Sequence, residues 1–106
     1  MISSSYDKDR DVLVCAFQGK QDSGATQAAS ERFQAAWSSA QAERPGRAGA
    51  PSLAFDLSGV DFISSAFLRL CLQAAKLSGG GAFRLVGVSP AVKKLFVVAG
   101  LEHLLG

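Results

Sequence analysis

The chain has 106 residues, 48% of them hydrophobic and 19% charged, with a formal net charge of +2. This is the composition and size of a single globular domain spanning residues 1–106, too apolar for a disordered segment. The basic residues are scattered and Lys93-Lys94 is the sole adjacent basic pair, so there is no concentrated basic face for nucleic acid.

Residues 2–6 suit a weak edge strand that turns through the charged segment 7–11. Residues 12–18, Val-Leu-Val-Cys-Ala-Phe-Gln, are β-rich and almost wholly apolar, which predicts a strand buried on both faces and stopped by Gly19. Asp22-Ser23 offers a helix start. Ala29, Phe33, Ala36, Trp37 and Ala40 then recur at helical spacing up to Ala42. Residues 43–51, ERPGRAGAP, read as a mobile surface loop.

Residues 53–57 form a second apolar run, expected as a buried strand. Ser58-Gly59 makes a turn, and Ser64-Ser65 precedes a helix predicted over residues 66–77. In that helix Arg69, Gln73 and Lys76 fall on one polar stripe, which Ser65 continues. Gly79-Gly80-Gly81 is expected to end the helix by supplying positive φ. Residues 82–88 suggest a third buried strand. Ser89-Pro90 then opens another helix, with serine as N-cap and proline at the first position, and Gly100 closes it. Residues 101–105 are read as the start of a last strand. Alternating strands and helices predict an α/β fold with mostly parallel central strands.

The segments with chemical promise are few. His103 is the single histidine and no nucleophile-elbow spacing accompanies it, so a catalytic triad is not supported. No Cys/His pair has metal-ligand spacing. Cys15 and Cys71 lie in apolar segments and read as buried hydrophobes. The triple glycine follows a helix, where the dipole is negative, and no GK[ST] sequence follows it, which disfavours a phosphate loop. No cofactor or metal is expected and the chain does not read as an enzyme. It has no membrane-length apolar run and its first residues lack a signal-peptide core, so a cytoplasmic protein without membrane insertion is expected.

Ser64-Ser65 is the exception. The pair lies where a helix begins, so N–H groups and the positive end of the helix dipole meet there. One serine serves as an N-cap. A second hydroxyl on the polar stripe is available for phosphorylation, and a phosphate would be electrostatically favoured there. Asp56 and Asp61 flank the preceding turn, either as local structural residues or as an acidic rim around Ser65.

Three segments together resemble the STAS domain, the family of sulfate transporters and anti-sigma factor antagonists. They are Phe17-Gln18-Gly19 through Asp22, the signature-like stretch DLSGVDFISSAFLRL at 56–70, and VSPAVKKLFVVAGL at 88–101. The resemblance covers residues 12–105. It implies a small mixed, mostly parallel sheet with helices packed mainly on one face. It also implies an anti-sigma factor antagonist that binds an anti-sigma factor with serine-kinase activity. That kinase would phosphorylate Ser65, with Ser64 as a rival site, and a serine phosphatase would reset it. The implied docking surface comprises Asp22, Ser23, Ser58, Asp61, Ser65 and Arg69.

Two departures stand out. Ser64 replaces the Asp that usually precedes the modified serine. The usual pattern also places a Gly before a Leu shortly after that serine, whereas here Ala66 and Phe67 precede Leu68. Phe67 could reshape the docking groove, fill the core or weaken the standard partner. The alternative reading is a STAS adaptor subunit of a transporter or lipid-trafficking assembly, with Ser65 merely structural. A small-ligand sensor is less favoured, because no polar cluster converging on an apolar pocket is visible.

Overall fold

The structure is a computed structural model that describes residues 2–44, 46, 51–79 and 82–105. The elements run β1 (Ile2–Asp7), β2 (Val12–Gln18), α1 (Ser23–Ala42), β3 (Ser52–Gly59), α2 (Ser65–Leu77), β4 (Phe83–Val86) and α3 (Pro90–Val98), followed by a 3-10 turn at Glu102–Leu105. The sheet order is β1-β2-β3-β4. β1 pairs antiparallel with β2 through the expected tight connection, and β2–β3 and β3–β4 are parallel. The fold is therefore α/β with a mixed, mostly parallel sheet.

Register decides where the core lies. Leu13 aligns with Leu53 and Phe83, and Cys15 with Phe55 and Leu85. Side chains in such rows share one face of the pleat. Leu13, Cys15, Phe17, Leu53, Phe55 and Leu57 are buried, while the alternate positions Val12, Val14, Ala16, Ala54 and Asp56 are only half-buried. The expectation that these strands are buried on both faces is thus corrected. In β4, Leu85 alone is buried. An apolar residue on the far face carries no sign in the sequence that no described helix covers it.

The covered face is filled by aromatic rings. Phe55 meets Phe17 at 4.8 Å, Phe33 of α1 at 5.4 Å and Phe83 at 5.2 Å between ring centroids, all edge-on. Phe67 of α2 meets Phe17 at 5.1 Å, also edge-on. Val92 and Phe96 of α3 join the same core. Phe67 is fully buried, so the ring at the departure from the STAS pattern fills the core.

One local expectation is corrected, and two more are corrected at their described residues. Arg44 is buried and grips Asp11 with two bonds, Nε to Oδ1 at 2.7 Å and Nη2 to Oδ2 at 2.7 Å. Asp11 holds a positive φ of 56° and accepts a bond from the Tyr6 hydroxyl. Hydrogen bonds to the Asp11 carboxylate hold the Arg44 guanidinium above its usual pKa. Pro51 is also buried, so both described ends of the 43–51 segment are fastened; residues 45 and 47–50 of that predicted loop lie outside the described residues. Helix α2 ends at Ser78 as C-cap with φ of −86°, and Gly79 has no positive φ. Gly80 and Gly81 lie outside the described residues. Finally, residues 101–105 make a 3-10 turn instead of a strand. Gly100, at φ 76°, turns the chain back, the Leu101 N–H bonds the Phe96 carbonyl at 2.9 Å, and Leu104 is buried.

Gly87 closes the end of β4 at φ 66°, and a Cβ there would lie 2.8 Å from Ser58 Cβ and 3.0 Å from Asp56 Oδ1. Both backbone and space demand glycine. Gly87→Ala is expected to destabilise the protein by roughly 2 kcal/mol, read as a lower urea midpoint with an unchanged slope.

Candidate functional site

Gln21 organises the site. Its backbone forms a parallel bridge with Ile63. The Gln21 N–H donates to the Phe62 carbonyl, and the Gln21 carbonyl accepts from the Ser64 N–H, both at 2.9 Å. The Thr26 hydroxyl donates to the same carbonyl at 3.3 Å. This short extension of the β2–β3 pairing fixes the segments that lead into α1 and α2, and so brings two helix N-termini together. Each end has its own cap. Asp22 Oδ1 accepts the Ala25 N–H at 2.9 Å, and Ser64 Oγ accepts the Phe67 N–H at 3.3 Å.

The two serines therefore differ. Ser64 is half-buried and occupied as the cap. Ser65 is the first residue of α2, is exposed, and its hydroxyl makes no hydrogen bond among the described residues. Ser65, Arg69, Gln73 and Lys76 are all exposed, whereas Phe67, Leu70, Cys71 and Ala74 are buried. The polar stripe is the wet side of α2.

The other predicted site residues separate into three places. Asp22 and Asp61 line a concavity of about 430 Å³ together with Lys20 and Phe62. Ser23 and Arg69 line a groove of about 370 Å³ between α1 and α2, beside Glu31 and Gln73. Ser58 lines neither. Its hydroxyl donates to Asp56 Oδ1 at 2.7 Å, and its N–H donates to the same oxygen at 2.9 Å. Those two bonds, backbone first, hold the Asp56 carboxyl below the usual carboxylate range. Ser58 and Gly59, expected as a turn, are the last residues of β3, and Asp56 shapes that end of the strand.

Sequence reasoning passed over Phe62, which is 44% exposed between the two helix starts. A large apolar ring left in water beside charged groups has the make-up of an interface anchor. In this strand-to-helix loop Val60 and Ile63 are buried, and the two residues between them, Asp61 and Phe62, face out. Burial pushes the Cys15 thiol up to about 12 and raises Cys71 as well. Both are free and buried, which makes them poor nucleophiles. Among the described residues, no group of His, Cys, Asp and Glu could hold a metal ion. No described helix is long and apolar enough to cross a membrane.

The family model described as "Mlab, STAS domain" matches residues 18–106. The chain belongs to the STAS domain family. No curated protein matches the sequence. Solved structures do. The anti-sigma factor antagonist SpoIIAA in its unphosphorylated form aligns with a TM-score of 0.75 at 19% identity, covering 100% of this chain and 86% of that one. An anti-sigma factor antagonist from Mycobacterium paratuberculosis gives 0.75 at 22% identity, covering 99% and 83%. A STAS domain protein from Planctomyces limnophilus, described as an anti-sigma-factor antagonist, gives 0.78 at 22%, covering 98% and 85%. At these identities the likeness to each is one of fold.

Two measurements check the site. Ser64→Ala removes a cap and is expected to cost about 1 kcal/mol, whereas Ser65→Ala stays within about 0.5 kcal/mol of the parent protein in urea unfolding. The second concerns pH. Because the folded Asp56 carboxyl titrates below its unfolded value of about 3.9, its contribution is complete above that value and is lost as pH falls through the folded value. Acid unfolding of Asp56→Asn is therefore expected to lack this part of the pH dependence.

Proposed function

We propose that this STAS domain is a non-enzymatic, anti-sigma factor antagonist-like regulator. It docks an anti-sigma factor with serine-kinase activity through the surface at the heads of α1 and α2, and phosphorylation of Ser65 releases the partner. A serine phosphatase restores binding. Asp22, Ser23, Asp61 and Arg69 surround the contact, Phe62 supplies its apolar anchor, and Ser58 contributes through the end of β3 that it holds with Asp56.

The observation that carries this reading is the division between the serines. Ser64 is consumed by the cap, and Ser65 is exposed with an uncommitted hydroxyl at the positive end of α2. A phosphate there suits the helix end, so modification leaves α2 intact. It adds about −1.5 to −2 units of charge on the segment bonded to Gln21, whose chain neighbour Asp22 lies with Asp61 in a concavity where the two outnumber Lys20. A closely packed partner must then desolvate that charge and meet like charge. Solved relatives in fold include SpoIIAA in a phosphorylated form and an RsbS S58E variant from Moorella thermoacetica.

A second reading, the adaptor subunit of a transporter or lipid-trafficking assembly, draws on α3. Leu95, Val97 and Val98 there are 37%, 45% and 76% exposed, an apolar ridge away from the serines that a permanent partner could cover.

The test is phosphorylation with the cognate kinase and ATP, mapped by mass spectrometry, together with affinity for that kinase. Modification is expected at Ser65, and Ser65→Asp is expected to weaken binding about a hundredfold, or roughly 3 kcal/mol. Phosphate found only elsewhere, or a Ser65→Asp protein that binds like the parent, sinks the switch. Co-purification with a transporter subunit, indifferent to ATP, would favour the adaptor.

A further inference from the structure

We infer that the uncovered face of the sheet is a binding trough for a small anionic amphiphile, a single apolar tail carrying a carboxylate. Nothing in this depends on Ser65, which belongs to the helix-covered side of the molecule.

The alternation that sends Leu13, Phe55 and Leu85 into the core sends Val12, Val14, Ala54 and Val86 the other way. These four form the apolar floor of an open trough of about 420 Å³. Arg84 of β4 lines one side, and Arg10 and Asp7 line the other. Arg84 is exposed and has no ion-pair partner among the described residues. Arg10 approaches Asp7 only at 3.9 Å, with the arginine side chain 83% exposed, and such a surface pair is weak. Among the groups that line the trough, two guanidiniums face one carboxylate; Asp56, on the same face beside Val86, is engaged by the Ser58 hydroxyl and N–H. A guanidinium presents a planar fork that matches a carboxylate with paired bonds.

Size separates the alternatives. Four strands of six, seven, eight and four residues, about 4.8 Å apart and rising about 3.3 Å per residue, present roughly 400 Å². A stable dimer needs about 800 Å² from each partner, so stacking a second copy here falls short. The trough volume lies instead within the range of small-molecule sites, about 300–1,000 Å³. An apolar tail along the valines with its acid at Arg84 satisfies both the floor and the charge. Arg84→Gln is the sharpest variant, because it removes the charge from an exposed position and leaves the core untouched.

The probe is octanoate, with octan-1-ol and inorganic phosphate as separate arms, followed by methyl and amide NMR on the intact protein. Saturable octanoate shifts are expected at Val12, Val14, Ala54 and Val86. Octanol and phosphate should each bind at least about tenfold more weakly, and Arg84→Gln should weaken octanoate about tenfold. Val14→Asp should abolish binding; if that variant does not fold, Arg84→Gln decides alone. Octanol binding as tightly as octanoate, shifts confined to Leu95–Val98 of α3, shifts that never saturate, or an unaltered affinity in Arg84→Gln would each overturn the proposal.

Discussion

The contact on which the molecule turns is the ring of Phe55. It projects from the third strand into the middle of the covered face and touches rings from β2, β4 and α1. Phe67 lies beyond it, with ring centroids 6.5 Å apart. Edge-on aromatic pairs add about 0.5–1.5 kcal/mol each beyond the area they bury, and they prefer particular angles. A cluster of this kind fixes how each helix rolls against the sheet as well as how far away it lies. The roll of α2 decides what its head presents: with Phe67, Leu70 and Cys71 turned inward, Ser65 and Arg69 are turned to the exposed side, Arg69 at the rim of the groove between α1 and α2.

Much of this was legible from residue order. Asp22, Ser64 and Ser89 each accept a backbone N–H three residues on, the role that short polar side chains play before a helix. The wet stripe of α2 follows from spacing alone. What could not be read was long-range. Arg44 looked like a loop residue because its partner Asp11 is 33 positions away, and no local pattern announces such a pair. The half-open strands looked closed because a valine reads the same under a helix or under water. Residues 101–105 are apolar enough for a strand, yet the positive φ of Gly100 turns them under the core instead.

The departures from the family pattern acquire physical meaning. Ser64 stands where an Asp is usual, and either residue can accept the N–H that α2 leaves unsatisfied. The substitution keeps the cap while lowering the negative charge at the helix start. Phe67 adds bulk in the direction of the core, where Phe17 receives it edge-on. Neither change crowds the exposed hydroxyl. Ser58, by contrast, is bound to Asp56 and packed under Gly87, so its contribution is to the shape of the end of β3.

The Gln21 bridge has a consequence for association. It clamps both approach segments to one short ladder, so the backbone that a partner would meet is already set in the free protein. Ordering loops on binding commonly consumes part of the interaction energy; here that loss is small. This chain's side of an encounter is then preformed, with residence time governed by side-chain chemistry at the rim.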